Sequence, residues 1–498
     1  MSAQLKPVPT TDALPARTIA VAAGDGIGPE ITRAVLDVLH AADPALLFKR
    51  VTVGLDAYLA GALSGLGADV MDAIIEHGVL LKGPITTPQG GGYKSVNVSL
   101  RKSLGLYANL RPCVAYGAFV KTLHPAMDVV IVRENEEDTY AGIEHRQSEE
   151  VVQCLKLITR PGCERIVRYA FEYARQHGRR KVTCMTKDNI MKLTDGLFHK
   201  VFDEIAVEYP DIANEHMIID IGTAKMAVNP ERFDVVVTLN LYGDILSDVA
   251  AEVAGSIGLA PSSNIGHDCA MFEAVHGSAP DIAGQDIANP SGLLLSAVMM
   301  LVHMGRSAPA TRIHNAWLRT IEDGVHTADL HVEGHAGECV GTRAFAAAVI
   351  ARLGLAPLHL PVVAYPERDA NEVPRHRVAP VTTRADKQLV GIDVFLNWDE
   401  AGRDPDALGA RVEAVAGPDF KLSLITNRGV KVYPHGLSQT LRTDHWRCRF
   451  IGVEGARLDA AALCGLLLRI ADAGLDAVKT ENLYTFDGVR GFSQAQGE

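Results

Sequence analysis

Short apolar runs alternate with longer amphipathic stretches along most of this chain, and this alternation predicts strands that are followed by helices. Residues 18–42 (TIAVAAGDGIGPEITRAVLDVLHAA) predict a strand, a glycine-rich turn and a helix whose first turn contains Pro29 and Glu30. Residues 233–254 (FDVVVTLNLYGDILSDVAAEVA) predict a buried parallel strand that continues into a helix. Elements in this order predict an α/β fold in which helices cover the sheets.

The pattern changes near residue 355. Residues 356–388 are rich in proline and charge and predict a linker. Residues 389–498 combine several strands with two helices, one of them strongly amphipathic, and predict a small α+β domain. Residues 1–17 contain an early pair of prolines and no apolar segment, which predicts a disordered leader instead of a signal peptide. Residues 18–355 would then form the main folded region.

Composition narrows the classes of partner. The 498 residues include 48 Lys and Arg against 60 Asp and Glu, and the resulting charge of −12 disfavours a nucleic-acid or anionic-membrane partner. A chain of this length predicts at least two domains, and its longest apolar stretches are shorter than a membrane span. The 8 cysteines form no CxxC pair, which indicates free thiols in a reducing cytoplasm.

The segment at residues 82–112 combines cationic and polar side chains. Arg101 and Arg111 lie close in sequence to Ser95 and Asn97. Guanidinium groups form paired hydrogen bonds with carboxylates, so the segment predicts a binding site for an acidic ligand.

Two aspartates predict a metal site. Asp244 and Asp248 are one helical turn apart and project from one face of a predicted helix. Carboxylate oxygens suit a hard divalent cation, and Asp220 is a candidate third ligand at the end of an apolar run. In isolation, the pair is equally consistent with the solvated start of a helix. Together with the arginines, it predicts a site for a small polycarboxylic acid chelated to a metal.

Three further side chains are candidates for chemistry. Arg133 follows the apolar run DVVIV, where a solvated arginine is unexpected. Lys187 also follows an apolar strand, and desolvation there would lower its pKa and suit acid–base chemistry, although an exposed loop lysine is the simpler interpretation. Tyr140, taken alone, is more often a packing residue than an acid.

Two loops suggest a nucleotide. Residues 276–290 (HGSAPDIAGQDIANP) predict a long ordered loop without helix or strand, whose backbone amides suit phosphate and whose Asp281 suits ribose hydroxyls. A structural surface loop is the alternative. The GDGIG segment at residues 24–28 does not complete a Rossmann fingerprint, because Pro29 stands where the third glycine is required, and a tight turn is therefore favoured.

Ordered blocks over about residues 18–350 carry a resemblance to a known family. In chain order they are GDGIGPE, KGPITTP, SVNVSLR, LRP, RENEEDTYAGIE, KDNIM, NLYGDILSD and HGSAPDIAGQDIANP. The chain resembles the isocitrate dehydrogenase family of metal-dependent β-decarboxylating dehydrogenases, in the long bacterial form with an extra C-terminal domain. The resemblance implies oxidative decarboxylation of isocitrate to 2-oxoglutarate and CO₂. It also implies a non-Rossmann α/β fold of the isocitrate/isopropylmalate dehydrogenase type, followed by the small α+β domain.

The resemblance further implies a domain division and an assembly. The large domain is expected at about residues 18–120 and 251–355, and the small domain at about 121–250. The active site is expected to be shared between the subunits of a homodimer. The C-terminal domain is expected to mediate subunit contacts, which would allow an oligomer larger than the dimer. An effector-binding role for this domain is the alternative.

Residue roles follow from the matching blocks. Substrate carboxylates are expected to bind Ser95, Asn97, Arg101, Arg111 and Arg133. Mg²⁺ or Mn²⁺ is expected to bind Asp244 and Asp248 together with Asp220 of the partner subunit. Tyr140 is expected to act as general acid, and Lys187 of the partner subunit to assist deprotonation. The residues expected near the cofactor are Thr87, Asn189, Glu273, His276, Gly277, Ala279, Asp281, Ile282 and Asn289.

Substrate and cofactor preferences rest on two pairs of residues. A buried Ser95/Asn97 pair facing the isopropyl group of 3-isopropylmalate would lose roughly 1–3 kcal/mol per unsatisfied group, which favours isocitrate and excludes homoisocitrate less firmly. Asp281 and Ile282 stand where NADP-using bacterial relatives carry Lys-Tyr, so NAD is predicted, with NADP as the alternative. A non-catalytic subunit is disfavoured because the expected acidic and catalytic residues are present. Ser95 also matches a serine that is phosphorylated in some bacterial members of the family, and a phosphate there would repel the substrate.

Overall fold

The computed structural model describes residues 15–87, 94–331, 337–367 and 384–496. The chain divides into two compact units. The first contains the described residues of Met1–Tyr140 and Leu157–Val378, and the second contains those of Ala141–Lys156 and Ala379–Glu498. Most of the predicted leader and residues 368–383 of the predicted linker lie outside the described residues.

The strands and helices follow the predicted alternation. The strands are β1 (Arg17–Ala22), β2 (Leu46–Val51), β3 (Val79–Lys82), β4 (Ala108–Val114), β5 (Asp128–Glu134), β6 (Glu144–Arg146), β7 (Val152–Cys154), β8 (Lys181–Thr186), β9 (Ala213–Ile218), β10 (Val235–Thr238), β11 (Pro261–Ile265), β12 (Ala270–Ala274), β13 (Val325–His326), β14 (Glu338–Cys339), β15 (Lys387–Asn397), β16 (Phe420–Asn427), β17 (Val430–Tyr433), β18 (His445–Gly452), β19 (Asp476–Phe486) and β20 (Val489–Arg490). The α-helices are α1 (Gly28–Ala42), α2 (Leu55–Leu59), α3 (Val70–His77), α4 (Val96–Ser103), α5 (Arg160–Gln176), α6 (Thr194–Ala206), α7 (Ile219–Val228), α8 (Asn240–Ala254), α9 (Ser291–His303), α10 (Ser307–Glu322), α11 (Thr342–Ala351), α12 (Pro405–Ala414) and α13 (Ala460–Asp472).

The first unit is organised around one mixed sheet of 10 strands, in the order β2-β1-β3-β12-β11-β4-β5-β10-β8-β9. Strand β11 is antiparallel to both β12 and β4, and β4 is antiparallel to β5, whereas the outer strands on both sides are parallel to their neighbours. A doubly wound Rossmann sheet is mostly parallel and has a different strand order. The prediction of a non-Rossmann α/β fold is therefore confirmed.

Helices cover the sheet because their sequences carry apolar faces of suitable width. Helix α1 has Pro29 in its first turn and buries Ile31, Val35 and Leu39. Helix α9 is apolar on nearly all sides and packs against strands β11 and β12, as expected for a helix enclosed in a core. None of the helices in the described ranges is both long and apolar enough to cross a membrane.

Part of the predicted linker is fixed on helix α10. The carboxylate of Glu322 accepts backbone hydrogen bonds from Leu358 at 2.6 Å and His359 at 2.7 Å, and Asn315 pairs with the backbone of Val363. The chain between residues 356 and 367 is thus held against the first unit by hydrogen bonds to helix α10, although its proline content predicts a linker. The predicted domain boundaries themselves stay a prediction.

The second unit is an antiparallel sheet in the order β17-β16-β18-β15-β19-β20, packed with helices α12 and α13. This arrangement confirms the predicted small α+β fold of the C-terminal region. The β6–β7 hairpin also belongs to this unit, a grouping that the sequence did not suggest. Ser148 donates a hydrogen bond of 2.6 Å to Asp444, and Arg403 forms an ion pair of 2.8 Å with Glu150.

We expect a buried ion pair to control the stability of the second unit. Arg449 and Asp393 are each 1% exposed and form two hydrogen bonds of 2.8 and 2.9 Å. Asp393→Ala should lower the free energy of unfolding by about 3–5 kcal/mol, because it removes the carboxylate that neutralises the buried guanidinium of Arg449. The measurement is urea unfolding of the full chain, followed by the fluorescence of its three tryptophans, of which Trp398 and Trp446 report on the second unit and Trp317 on the first.

Two comparisons separate this pair from ordinary surface pairs. The double variant Asp393→Leu with Arg449→Met should recover most of the lost stability, since it removes both charges together. Glu400→Ala, which breaks a half-exposed pair with Arg411, should cost less than about 1 kcal/mol. Equal losses in Asp393→Ala and Glu400→Ala would contradict the expectation.

Candidate active site

A polar cavity of about 210 Å³ lies in the first unit. The predicted site residues in its walls are Ser95, Asn97, Arg101, Arg111, Arg133, Tyr140, Asp244, Glu273, His276 and Gly277. A larger cavity of about 540 Å³ lies elsewhere in the same unit, but its lining is mainly apolar and contains none of the predicted site residues. The smaller cavity is the candidate active site because cationic and acidic groups converge there.

The strand register brings the arginines to this cavity. Arg133 lies near the end of β5, beside Thr238, the last residue of β10, and helix α8 begins two residues further on. Gly243 allows this helix to approach closely, because a Cβ atom at that position would lie 2.5 Å from Cγ of Arg133. Arg133 Nε then donates to the backbone carbonyl of Asn240 at 2.9 Å.

Asp244 is the centre of the hydrogen-bond network on this side. Its Oδ1 accepts from Arg133 and lies 3.3 Å from Nη2 of Arg111, and its Oδ2 accepts from the Tyr140 hydroxyl at 2.5 Å. Burial alone would raise the pKa of Asp244, but Arg133 and Arg111 outweigh burial and lower it. Burial and the hydrogen bond to Asp244 raise the pKa of the Tyr140 hydroxyl, which keeps its proton.

The cluster carries an excess of positive charge. Arg133 is 1% exposed, and burial together with repulsion from Arg111 and Arg101 lowers its pKa to about 9. A guanidinium is rarely disfavoured to this degree. An anionic ligand in the cavity would relieve this repulsion.

Helix α4 and strand β12 form the other side of the cavity. Ser95 caps α4, Arg101 Nη2 donates to Glu273 at 2.9 Å, and Lys82 Nζ lies 2.7 Å from the second oxygen of Glu273. Burial would raise the pKa of Glu273, but Lys82 and Arg101 hold it well below its usual range. The sequence did not single out Lys82, although a lysine that ends the apolar run VLLK was a usable signal.

Three polar atoms in the cavity walls are buried and have no hydrogen-bond partner within the described residues. They are Oδ1 of Asn97, Nε of Arg101 and Nε2 of His276. Burial lowers the pKa of His276, so its ring is neutral. Buried polar atoms normally have partners, and their convergence on one cavity indicates a polar ligand.

The predicted metal ligands are only partly assembled in one chain. Asp244 and Asp248 lie one turn apart on α8, and Asp248 Oδ1 is 3.4 Å from Nη1 of Arg111. Burial raises the pKa of Asp248 although Arg111 opposes this change. The carboxylate oxygens of this pair form an all-oxygen donor set, which fits Mg²⁺ or Mn²⁺.

Asp220 and Lys187 do not line the cavity. Asp220 lies in the first turn of α7, and Lys187 follows β8. The two side chains form an ion pair of 2.7 Å with each other. The chain alone therefore does not bring them to Asp244.

The predicted cofactor residues are spread over strand β12, which carries Glu273, and three loops. Thr87 Oγ1 lies 3.5 Å from Ser95 Oγ, and Asn189 is exposed after β8. Asn289 donates to Asp329 at 3.0 Å and accepts from the backbone of Ser291 at 2.9 Å, so it also fixes the start of α9.

The segment 276–290 is not wholly irregular, which corrects the prediction. Pro280–Ile282 forms a 3₁₀ turn that includes Asp281 and Ile282 and follows Ala279, whose φ is 36°. A proline at the first turn position favours such a turn. Asp281 is exposed, and Gln285 donates to its backbone carbonyl at 2.8 Å.

The GDGIG segment supports these loops. Asp25 accepts backbone hydrogen bonds from Leu55 at 2.9 Å and Thr86 at 2.8 Å. Gly26 has a φ of 58°, and a Cβ atom there would lie 1.9 Å from the carbonyl oxygen of Ser278. The motif thus packs directly against the two loops that carry predicted cofactor residues, a position that sequence reasoning did not identify.

Comparisons with known proteins identify the family of the chain. The isocitrate/isopropylmalate dehydrogenase family model matches residues 18–349, and the bacterial isocitrate dehydrogenase C-terminal domain matches residues 387–498. An isocitrate dehydrogenase [NADP] of Rickettsia bellii is 51% identical over 484 residues, which cover 96% of this chain and 99% of that protein. An isocitrate dehydrogenase [NADP] of Thermus thermophilus is 43% identical over 486 residues, which cover 97% and 96%.

A solved structure extends the likeness to three dimensions. A crystal structure of a Thermus thermophilus protein superposes with a TM-score of 0.90 at 42% identity, covering 97% of this chain and 96% of that one. The fold is that of the decarboxylating dehydrogenases of 2-hydroxy acids. The chain belongs to the isocitrate dehydrogenases, within the isocitrate/isopropylmalate dehydrogenase family, and carries their bacterial C-terminal domain.

The site should also make the stability of the protein depend on pH. Glu134 ends strand β5, is 3% exposed, and has its pKa raised to about 7 by burial, which outweighs the backbone amides of Glu136 and Glu137. A carboxyl whose pKa is raised by folding stabilises the fold when protonated. Its contribution is complete below the unfolded value of 4.5 and is lost as the pH rises through about 7.

Glu134→Gln should remove this loss. Relative to the unaltered protein, the variant should gain up to about 3 kcal/mol in free energy of unfolding between pH 4.5 and pH 8. Denaturant unfolding at a series of pH values measures this gain. Glu76→Gln, at an exposed position, is the control and should change little with pH. A stability difference that stays constant over the pH range would refute the role of Glu134.

Proposed function

We propose that the cavity binds isocitrate chelated to Mg²⁺ or Mn²⁺ and that NADP⁺ is the preferred oxidant in its conversion to 2-oxoglutarate and CO₂. The observation that carries the proposal is that polar atoms of Asn97, Arg101 and His276, without partners among the described residues, converge on a cavity with excess positive charge. The proposed function accounts for both features with one ligand.

Charge supports a tricarboxylate. Lys82 and the three arginines contribute four positive charges, and Glu273, Asp244 and Asp248 contribute three negative charges. A divalent metal adds two positive charges, and the three carboxylates of isocitrate then bring the site to neutrality. The dicarboxylate 3-isopropylmalate would leave one positive charge uncompensated, in a place where Arg133 is already destabilised by like charges.

Ser95 and Asn97 support the same choice. They line the cavity next to Arg101, and the buried Oδ1 of Asn97 lacks a partner in the part of the chain that the structure describes. In the proposed complex, Ser95 and Asn97 meet the γ-carboxylate, while Arg101, Arg111 and Arg133 bind the other carboxylates through paired hydrogen bonds. An isopropyl group against these side chains would leave them unsatisfied at a cost of roughly 1–3 kcal/mol each.

The proposed chemistry divides between the bound groups and the chain. Asp244 and Asp248, together with Asp220 of the partner subunit, would hold Mg²⁺ or Mn²⁺, which would supply Lewis-acid chemistry at the C2 oxygen. Bound NADP⁺ would supply the hydride acceptor. The arginines orient the substrate, and Lys187 of the partner subunit takes up the proton of the C2 hydroxyl. Tyr140 delivers its proton to carbon after CO₂ has left, and its raised pKa keeps that proton available.

The proposed assembly is a homodimer with shared active sites. Lys187 and Asp220 pair with each other and do not line the cavity of their own chain. This position supports the proposal that they contribute to the active site of the other subunit. Subunit contacts by the C-terminal domain and a cytoplasmic location stay predictions.

NADP replaces NAD as the preferred cofactor of the proposal. Relatives that match almost the whole chain are named isocitrate dehydrogenase [NADP], which favours the alternative over the first prediction. The argument for NAD depended on repulsion between Asp281 and a 2′-phosphate. Asp281 is exposed, however, and water and salt screen the repulsion between exposed charges.

Tyr140→Phe tests the proposed acid. We expect kcat to fall about 10²–10⁴-fold, because the proton donor is lost, while the affinity for isocitrate and Mn²⁺ changes by less than about tenfold. Steady-state assays and calorimetric titration measure the two quantities. Tyr433→Phe, in the second unit, is the matched control and should keep full activity. A kcat within threefold of the unaltered protein would eliminate Tyr140 as the acid.

The cofactor preference is tested by kcat/KM with NADP and with NAD, at saturating isocitrate and Mn²⁺. We expect a ratio in favour of NADP, and Asp281→Asn should change the ratio less than about tenfold, because the exposed carboxylate is screened. A preference for NAD that shifts strongly towards NADP in Asp281→Asn would restore the first prediction. No turnover with either cofactor would count against isocitrate as substrate.

A further inference from the structure

A cluster of two histidines and one aspartate lies outside the candidate active site. Asp188 follows strand β8, His199 lies on α6, and His216 lies on β9. One potential ligand atom from each residue lies within 4.8 Å of the others. All three residues are partly buried. Their side chains are therefore held by neighbouring atoms, and the cluster is still accessible to solvent.

The carboxylate of Asp188 faces both imidazole rings. Its Oδ2 lies 2.7 Å from Nδ1 of His199, and its Oδ1 lies 3.8 Å from Nε2 of His216. The two rings are stacked, with centroids 3.6 Å apart and planes inclined by 16°. Because the rings are stacked, their ring nitrogens are presented side by side to the same carboxylate.

A second carboxylate, that of Asp203, faces the other ring nitrogen of His199. Oδ2 of Asp203 lies 3.6 Å from Nε2 of His199, one turn further along α6. A carboxylate on the far nitrogen is the usual companion of a metal-binding histidine, since it fixes the tautomer that leaves the near nitrogen free to coordinate. Thr186 Oγ1 lies 2.8 Å from Nε2 of His216, so a metal ion bound at this nitrogen takes the place of that hydrogen bond.

Electrostatics favour a neutral imidazole at His216. Burial and the neighbouring His199 lower the pKa of His216, although Asp188 and Asp203 oppose this shift. Lys187 is adjacent in sequence to Asp188, and its ammonium group is paired with Asp220. A neutral ring nitrogen next to a carboxylate is a ligand set for a borderline transition metal, whereas Mg²⁺ prefers oxygen atoms only.

We propose that Asp188, His199 and His216 bind one divalent transition-metal ion of the Zn²⁺ class. This site is separate from the carboxylate site at Asp244 and Asp248. Binding places the single ring proton of His199 on Nε2, towards Asp203, leaves Nδ1 to coordinate the ion, and ties β8, α6 and β9 together. Asp203 is a positioning residue that acts through His199.

The test uses the full chain, freed of metal by a chelator and dialysed against Zn²⁺ in a large excess of Mg²⁺. The excess Mg²⁺ competes for the all-oxygen site but not for imidazole nitrogens. We expect one Zn²⁺ per chain in the unaltered protein, and at least tenfold weaker binding in His199→Gln and His216→Gln. The exposed His267→Gln is the matched control and should bind as the unaltered protein does. Asp203→Asn should weaken binding about 10–100-fold.

Zn²⁺ binding that is absent in the unaltered protein, or unchanged in both His199→Gln and His216→Gln, overturns the proposal. If either variant does not fold, as judged by circular dichroism, anomalous diffraction from Zn²⁺-soaked crystals of the unaltered protein decides. A peak among Asp188, His199 and His216 supports the site, and a peak elsewhere or no peak overturns it. These readouts do not depend on turnover, so they are independent of the proposed activity.

Discussion

The burial of several arginines around one cavity is the constraint on which the rest of this site depends. Arg101, Arg111 and Arg133 are each less than a tenth exposed, and a buried guanidinium is costly unless it is paired. Asp244 and Glu273 supply pairing within the chain, but they do not balance the cationic groups. The fold therefore holds a charge arrangement that is complete only with an anionic ligand.

This constraint explains how the surrounding elements are built. Gly243 lets helix α8 approach Arg133, and Lys82 is enclosed beside Glu273 at the ends of two neighbouring parallel strands. The mixed order of the central sheet places antiparallel β4 beside β5, so arginines from both strands reach the same cavity. In a wholly parallel sheet, such side chains would instead come from the carboxyl ends of neighbouring strands.

The same chain also arranges polar groups that the cavity does not use. The pair of Lys187 and Asp220 stands at the ends of β8 and β9, next to the stacked rings of His199 and His216. These groups are adjacent because β8 and β9 are parallel neighbours, with Cys184 opposite His216. One stretch of sheet edge thus carries two groups with different chemistry, a cation–carboxylate pair and an imidazole–carboxylate cluster.

Sequence by itself determined much of the local structure and the chemistry of the cavity. Apolar runs defined strands such as β5 and β10, and ordered blocks identified Arg101, Arg111, Arg133, Tyr140 and Asp244, which the structure brings together. Only the tertiary structure decided the pairing of Lys82 with Glu273, the grouping of the 141–156 hairpin with the C-terminal unit, and the meeting of Asp188 with His199 and His216. Local patterns depend on neighbours a few residues away, whereas these contacts join residues distant in sequence or depend on sheet order. Such contacts are set by the packing of the elements, so they cannot be read from the spacing of residues along the chain.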